Sequence, residues 1–345
     1  MSRQVYTPIL KWKTGEKIAL YNLKQSEKEC IIPLLEFTDY QEPPDVIQGL
    51  SNCFNNEVFV DTIYVDEGDR HYLTSLIQES NNNGYTMHPV LYFDDFPDLA
   101  DKLSNTSERV VVRVPVPEEL GGPDYSTIFS YLTDWQKDKD IFLDLVLDLN
   151  VIENKKQANL LYAELKSILN DYVITSNIWQ RIIVAVTSFP EELSSIPAGG
   201  SVFFDRIDIK LFEKIYIGFK SIQGHLMFSD YGVTKFTDTE IDFSKLRHGI
   251  LPKAKYTTAN EYWVLKGARN HLTKTWIKDY KAIAMEIYQS PKYYGENFSY
   301  GDTEIKERAF GLNKKGPGNN TNWVAINANH HLAVVIQELS KIYGS

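Results

Sequence analysis

The feature that most constrains the fold is an apolar run near the middle of the chain. Residues 141–150 read Ile-Phe-Leu-Asp-Leu-Val-Leu-Asp-Leu-Asn, so apolar side chains continue almost without interruption to an aspartate and a turn residue. A half-exposed strand alternates apolar and polar residues, whereas a strand of a parallel sheet covered by helices is apolar nearly throughout. The run therefore predicts a buried parallel strand.

Comparable runs recur at intervals of about 25 to 40 residues, the spacing of βα units. Eight evenly sized units favour a closed, TIM-barrel-like (β/α)8 domain of the α/β class over a doubly wound open sheet, which is the alternative. The predicted strands are Tyr6–Lys13, Ile31–Phe37, Val58–Val65, Met87–Phe93, Arg109–Val116, Ile141–Asn150, Arg181–Ser188 and Leu226–Ser229.

After a barrel body of residues 1–250, residues 251–345 are predicted to form an extension of the same domain. Its elements are a hairpin of Lys253–Thr258 and Glu261–Lys266, a helix over Thr273–Tyr288, a loop-rich stretch over Pro291–Asn322 and a final helix over Trp323–Tyr343.

The final helix has an apolar stripe that needs a partner surface. We expect it to pack beside the first strand and close the ring. We also expect the loop before it and Tyr300-Gly301-Asp302 to cover the mouth of the barrel as a lid. The stripe consists of Val324, Ala328, Leu332, Val335, Ile336 and Leu339.

The composition predicts a cytoplasmic globular protein. Hydrophobic residues make up 43% and charged residues 24% of the chain, close to the globular average. The sequence contains neither an apolar run of about 20 residues, as a membrane span needs, nor a signal-peptide core. The net charge of −10 argues against an extended nucleic-acid surface, because phosphate binding depends on clustered Lys and Arg.

In a TIM barrel the functional residues lie at the C-terminal ends of the strands, so polar residues that interrupt or end the predicted strands are site candidates. The parallel strand ends should bring Lys11, Glu36, Arg113, Asp148 and Asp230 into one pocket. A structural ion pair is the alternative for the charges inside strands. The candidate roles are acid or base for Glu36, Asp148 and Asp230, phosphate binding for Lys11, Lys13 and Arg113, and metal binding for Asp61.

Other candidate ligand-binding residues follow the eighth strand or lie in the extension. The run Gly316–Asn322 is rich in glycine and asparagine and could present main-chain N–H groups to an anion. It lacks the Gly-Lys-Ser/Thr motif of a nucleotide-binding loop, so a plain loop is favoured. The adjacent pair His330-His331 is interpreted as packed histidines rather than a metal site. The candidates here are Tyr231, Tyr256, Asp302, Asn319 and Asn320.

Several short blocks, in this order along the chain, resemble the bacteriophage beta protein family, which is named after a T-even phage protein. The resemblance implies no particular reaction. The family's occurrence in phages, prophages and bacterial mobile regions implies a role in phage–host conflict or defence. The blocks are Tyr6–Lys13 with Gly15-Glu16, Pro33–Glu36, Asp230–Gly232, Lys255–Thr258, Tyr300–Asp302 with Ile305, and Trp323 with Asn329–Leu332.

Three functional hypotheses follow. The leading one is a charged barrel mouth that binds a phosphate-bearing ligand such as a nucleotide and hydrolyses it with a divalent metal ion. The alternative is a non-catalytic module in which the hairpin and tyrosine-rich loops dock a phage or host protein. The third is Schiff-base chemistry on Lys11, which neighbouring acidic groups would have to tune.

Overall fold

The computed structural model describes residues 4–65, 71–137, 139–234, 251–270 and 272–344. Its strands are β1 (Ile9–Lys11), β2 (Leu34–Glu36), β3 (Val58–Asp61), β4 (Met87–Tyr92), β5 (Arg109–Pro115), β6 (Phe142–Val151), β7 (Trp179–Thr187), β8 (Ser201–Asp205), β9 (Leu226–Ser229), β10 (Lys253–Thr257), β11 (Glu261–Lys266), β12 (Ala268–Arg269) and β13 (Trp276–Lys278). Its helices are α1 (Thr14–Tyr21), α2 (Gln25–Lys28), α3 (Pro43–Cys53), α4 (His71–Asn82), α5 (Phe96–Leu103), α6 (Tyr125–Gln136), α7 (Lys155–Ile168), α8 (Ile174–Ser176), α9 (Ile207–Gly218), α10 (Tyr280–Gln289), α11 (Tyr300–Phe310) and α12 (Asn320–Gly344). No helix within the described ranges is long and apolar enough to cross a membrane.

Eight parallel strands form the barrel, and the predicted (β/α)8 fold is confirmed. Strands β1 to β7 and then β9 pair in chain order. The first and last strands are joined by main-chain bonds: the Thr7 N–H donates to the Phe228 carbonyl and the Ile9 N–H to the Asp230 carbonyl, both at 2.8 Å. The apolar run that predicted a buried strand is β6, which is paired on both sides and buried from residue 143 to residue 149.

The side chains inside the barrel lie in three layers, because every second residue of a strand points to the same side. On β5 these layers are marked by Arg109, Val111 and Arg113, and the middle layer is apolar. In the layer at the N-terminal end, the guanidinium of Arg109 lies 2.7 Å from the carboxylate of Asp144. Residues at the N-terminal end of a TIM barrel generally contribute to stability. The layer around Arg113 lies at the C-terminal end, where TIM barrels place their functional sites.

The last helix, α12, takes the position of the eighth barrel helix. It packs so closely on α1 that a Cβ atom at Gly15 would lie 2.5 Å from Cγ1 of Val324. Further along, the Asn329 side-chain amide donates to the Ala19 carbonyl at 3.0 Å, and the Tyr343 hydroxyl donates to the Leu226 carbonyl at 2.9 Å. The helix thus runs down the wall of the barrel along the seam between β9 and β1.

The predicted hairpin is β10 and β11, and β8 joins it on the side of β11 in a three-stranded antiparallel sheet. The sequence patterns did not predict β8, which is inserted between the seventh and eighth barrel strands.

Two predictions for the extension need correction. Besides its loops, the stretch 291–322 contains the helix α11, which the sequence patterns did not predict. That helix buries polar residues such as Asp302, Glu304 and Arg308, so it lacks the apolar stripe that marks a helix in sequence. The helix expected from residue 273 begins only at Tyr280, where the Asp279 side chain accepts from the Ala282 N–H at 2.9 Å and caps it.

Candidate functional site

Arg113 lies at the centre of the layer at the C-terminal end of the barrel, where the ends of four other strands surround it. Its Nη1 donates to Oε1 of Glu36 at 2.9 Å and to Oδ2 of Asp61 at 2.8 Å. Its Nε donates to Oδ2 of Asp148 at 2.8 Å, and its Nη2 donates to the Tyr231 hydroxyl at 2.7 Å. These five residues are all buried, and we call them the Arg113 cluster.

The Arg113 cluster sets three carboxyl groups against one guanidinium. Burial raises the pKa of Glu36, and the neighbouring Asp61 raises it further, while Arg113 opposes the rise. The Tyr231 hydroxyl donates to Asp148 at 2.6 Å, and burial raises the pKa of Tyr231 well above its usual range. Each of the three guanidinium nitrogens is engaged by the protein, so Arg113 mainly orders the carboxylates around it.

A cavity of about 210 Å³ opens above the β4 and β5 side of the Arg113 cluster, and we call it the acidic cavity. Two tyrosines line it. The Tyr92 hydroxyl donates to Asp61 at 3.3 Å, and the Tyr125 hydroxyl donates to the Pro115 carbonyl at 3.2 Å. Its lining combines aromatic residues with a carboxylate rim: Tyr92, Phe93, Tyr125, Asp94, Asp95, Glu118 and Glu119.

The opposite part of the mouth carries three lysines, Lys11, Lys13 and Lys255, which we call the lysine side. Lys11 ends β1, Lys13 precedes α1, and Lys255 reaches in from β10 with its ammonium donating to the Val233 carbonyl. The ammonium of Lys11 lies 5.3 Å from the ring centre of Tyr64, in the loop that follows β3.

Glu16, in the first turn of α1, is the carboxyl group beside the lysine side. Its side chain is buried, and the residue is only 6% exposed. Burial raises the pKa of Glu16 to about 7, although the charges of Lys13, Lys255 and Lys11 act to lower it. A carboxyl group that titrates near neutral pH is suited to exchanging a proton under physiological conditions.

The structure brings together three of the five residues expected in one pocket: Glu36, Arg113 and Asp148. Lys11 lies directly beside Glu36 in the register of β1 and β2. Asp230 does not join them, because Tyr231 points into the barrel and its neighbour in the chain points away from it.

Asp230 instead belongs to a buried polar network behind the barrel wall. Its Oδ1 accepts from the Tyr6 hydroxyl at 2.6 Å, and its Oδ2 lies 3.0 Å from Nε2 of His331. The other ring nitrogen, Nδ1 of His331, lies 2.9 Å from the Thr257 hydroxyl. All four residues are fully buried, so this Asp–His–Thr arrangement connects β9, α12 and β10 and is closed to a ligand.

Tyr256 and Asp302, two further candidates, belong to a neighbouring buried network and not to a lid. The Tyr256 hydroxyl donates to Asp302 at 2.7 Å, and Nδ1 of His330 lies 2.8 Å from the same carboxylate. Nε2 of His330 lies 2.8 Å from the Thr257 carbonyl. Both histidines are therefore packed and hydrogen-bonded, as the sequence favoured.

Asn319 and Asn320 lie at the exposed start of α12. Asn319 and Asn322 each donate a main-chain N–H to the other's side-chain oxygen at 3.0 Å, and the Tyr280 hydroxyl donates to Asn320 at 2.7 Å. They border a separate surface pocket of about 480 Å³ together with Trp276. Their role in ligand binding stays a prediction.

Asp61, the candidate metal ligand, bonds Arg113 through Oδ2 and accepts from the Ile63 N–H through Oδ1 at 3.0 Å. Across the described parts of the chain, no group of three or more His, Cys, Asp or Glu residues is arranged to hold a metal ion.

Sequence reasoning missed two residues at the mouth as site candidates. Glu16 lies on a helix five positions after the first strand, so it is not one of the polar residues that interrupt or end a strand. Lys255 lies in the hairpin. The sequence of the hairpin does not show that it folds back over the mouth of the barrel. Both occur in the short blocks that carried the family resemblance, and that was the available signal.

Comparison with known proteins agrees with that resemblance. The model of the Beta protein family matches residues 6–337, nearly the whole chain. No curated protein matches the sequence. Among solved structures, the biosynthetic arginine decarboxylase SpeA from Campylobacter jejuni is similar with a TM-score of 0.43 and 10% identity over 99% of this chain. The chain spans 56% of the length of that enzyme.

Proposed function

The chain belongs to the Beta protein family, and we propose that its barrel binds a phosphate-bearing small molecule, such as a nucleotide, at the C-terminal mouth. The observation that carries the proposal is the division of that mouth into an acidic, aromatic cavity and a lysine side. A ligand with a phosphate at one end and a hydrogen-bonding ring at the other is complementary to both parts.

The phosphate is assigned to the lysine side rather than to Arg113. Phosphate recognition by arginine uses its planar fork of N–H donors, and in Arg113 these donors already bond Glu36, Asp61, Asp148 and Tyr231. Lysine ammonium groups bind phosphate as point charges, and three of them border the mouth.

The acidic cavity is assigned to the uncharged part of the ligand. A volume of about 210 Å³ is below the range of complete small-molecule sites, about 300 to 1,000 Å³, and is enough for one ring system. Tyr92 and Tyr125 offer aromatic surface for stacking. The carboxylates of the rim accept hydrogen bonds from hydroxyl or amino groups and repel a phosphate.

The proposal is one of binding. A divalent metal ion at Glu36, Asp61 or Asp148 would compete with the guanidinium of Arg113 for the same oxygens, so the metal-dependent hydrolysis suggested by the sequence has less support. A role of the bound ligand in phage–host conflict, which the family resemblance implied, stays a prediction.

The test is isothermal titration of the full chain with ATP, GMP and inorganic phosphate. Hydrogen bonds to charged groups contribute about 1.5 to 3 kcal/mol, and about 1.4 kcal/mol is a tenfold change in affinity. Lys11→Met and Lys13→Met should therefore each weaken binding by about tenfold or more. The matched control is Lys155→Met with Lys156→Met, at the start of α7. The proposal is wrong if none of these ligands binds, or if only the control weakens binding.

The second candidate function is docking of an extended segment of a phage or host protein onto β8. The Lys266 N–H donates to Gly200 and the Arg206 N–H to Asn260, so the main chain of residues 201, 203 and 205 points away from β11. This edge borders a groove of about 1010 Å³, and the Phe203 side chain is exposed beside it. Strand addition to such an edge is a common mode of peptide recognition.

Phe203→Pro tests this alternative, because the N–H that proline removes at this position does not bond β11. If docking is the function, a stoichiometric partner co-purifies with the native chain and is lost from the variant, while thermal stability is retained. A partner that stays bound to the variant would contradict docking at β8.

A further inference from the structure

We propose that the hairpin of β12 and β13 inserts its tip into the surface of a membrane that contains anionic lipids. The tip exposes Leu272, Trp276 and Ile277, and the hairpin around them is basic. These three residues belong neither to the Arg113 cluster nor to the acidic cavity or the lysine side. A tip of this kind enters only the interfacial layer of a bilayer, so it needs no helix that spans the membrane.

The tip exposes three large apolar side chains within six residues. Leu272 is 94% exposed, Ile277 69% and Trp276 48%. Single exposed apolar residues are common on protein surfaces, whereas a group of them marks a site of interaction. All of residues 272–277 are exposed, so the described part of the chain does not cover this group.

Hydrogen bonds around Asn270 order the tip. Its side-chain oxygen accepts from the Leu272 N–H at 2.9 Å. Its main-chain N–H donates to the Thr275 carbonyl, and its carbonyl accepts from the Lys274 N–H, both at 2.9 Å. Because the apolar side chains are carried by an ordered turn, insertion immobilises little additional chain, which lowers the cost of binding.

The directions of the apolar side chains favour a lipid layer over a flat partner. Trp276 and Ile277 are adjacent in β13, so they point to opposite faces of the hairpin. A flat protein surface covers one face, whereas a lipid layer surrounds an inserted tip and covers both faces and the turn that carries Leu272. Bases of single-stranded nucleic acid stack on tryptophan, but the aliphatic Leu272 and Ile277 offer no ring for stacking.

The charges of the hairpin favour an anionic lipid surface. Residues 266–281 contain five Lys or Arg residues and one Asp, in a chain whose net charge is −10. Lys274 at the tip and Lys281 in the first turn of α10 are exposed. The guanidinium of Arg269 lies 5.2 Å from the ring centre of Trp276, so a charge accompanies the tryptophan. Lys and Arg near an anionic membrane each add to its attraction for the protein.

Two carboxylates beside the hairpin are engaged by the protein. The Asp279 side chain accepts from the Ala282 N–H and caps α10. Glu286 of α10 pairs with Lys278. Lys278 is therefore not assigned to lipid binding, and the attraction is assigned to Lys274 and to the other exposed basic groups.

Co-sedimentation of the full chain with sucrose-loaded vesicles tests the proposal. One set of vesicles contains equal parts of phosphatidylcholine and phosphatidylserine, and the other contains phosphatidylcholine alone. The bound fraction at increasing lipid concentration gives the affinity for each set. Leu272→Ser with Ile277→Ser removes apolar contact, and Lys274→Gln removes one charge.

The matched control is Leu160→Ser with Ile217→Ser, which replaces the same residue types where they are exposed on α7 and α9. All the substituted side chains in the test and control variants are exposed, so each variant should melt close to the temperature of the native chain. A melting curve of each variant checks that the fold is retained.

The native chain should bind the mixed vesicles more strongly than the neutral ones, and added salt should weaken this binding. Leu272→Ser with Ile277→Ser should weaken it by about tenfold or more, because two apolar side chains no longer enter the lipid. Lys274→Gln should weaken it by about fivefold. The control variant should bind as the native chain does.

The proposal is wrong if the native chain does not sediment with the mixed vesicles, or if the control variant loses as much affinity as the variant of the tip. Two alternatives have their own readout in the absence of vesicle binding. Binding of a single-stranded DNA oligonucleotide that Trp276→Ala abolishes would assign the hairpin to nucleic acid. A dimer in light scattering that dissociates in Leu272→Ser with Ile277→Ser would assign it to a second copy of the chain.

Discussion

Replacing Arg113 by methionine should destabilise the protein strongly, and more so as the pH rises. Arg113 is the shared partner of Glu36, Asp61 and Asp148, and its side chain is 2% exposed. Methionine has a similar length and packs in apolar surroundings, so the main loss is the charge and its hydrogen bonds.

The magnitude follows from breaking a buried ion pair on one side, which costs about 3 to 5 kcal/mol. Three carboxylates lose their shared cation here, although Asp61 and Asp148 keep hydrogen bonds from Tyr92 and Tyr231. Proton uptake by the carboxylates limits the loss of stability. Burial already raises the pKa of Glu36 in the native protein, with Arg113 opposing the rise, so removing Arg113 must raise it further. A carboxyl group whose pKa is raised on folding opposes folding as the pH climbs above its unfolded value of about 4.3.

The assay is urea denaturation at about pH 5 and about pH 8, with free energies of unfolding from linear extrapolation. The loss in Arg113→Met should be larger at the higher pH. Arg113→Lys should lose less, because it keeps the charge but not the planar fork. Lys139→Met, which breaks the exposed pair with Asp101, should change stability by less than about 1 kcal/mol. If Arg113→Met costs less than about 1 kcal/mol at both pH values, the buried cluster does not stabilise the barrel as described.

Three further predictions concern the helix and networks that close the barrel. Gly15→Ala should lower the free energy of unfolding by about 1 to 3 kcal/mol in urea titrations, because its Cβ would overlap Val324. Asn319→Ala should cost about 1 kcal/mol in the same assay by removing a helix cap, with Lys314→Ala as a neutral control. Burial alone would raise the pKa of Asp230, but His331 and hydrogen bonds hold it below its usual value. The ionised Asp230 therefore stabilises the fold above about pH 3.9, and this stabilisation is lost as the pH falls. Asp230→Asn should accordingly lower the melting temperature at about pH 7 and much less near about pH 3, and equal losses at both would contradict this.

The barrel could be predicted from sequence because its strands are buried on both faces and read as apolar runs. Residues 141–150 illustrate this, since their position in the middle of the sheet leaves little room for any other structure. By contrast, α11 was missed because its buried face carries Asp302 and Arg308, which a periodicity of apolar residues does not reveal.

The site was predicted in part for a related reason. Glu36, Arg113 and Asp148 converge because parallel strand ends meet at one end of a barrel, a rule that needs no side-chain detail. The same rule gives the wrong result for Asp230, because adjacent residues at a strand end face opposite sides of the sheet. Its neighbour Tyr231 faces the inside of the barrel, and only the strand pairing shows which of the two does so. Glu16 and Lys255 depend on how a helix and an inserted hairpin fold over the mouth, which the sequence of either element does not specify.

A crystal structure of the native protein soaked with ATP would show whether the mouth binds a phosphate-bearing ligand with the phosphate on the lysine side. We expect phosphate oxygens within hydrogen-bond distance of the ammonium groups of Lys11 and Lys13, and a ring in the acidic cavity beside Tyr92 and Tyr125. Density for the nucleotide elsewhere, for example against Lys155 at the start of α7, or a phosphate bonded to Arg113 in place of its carboxylates, would contradict it.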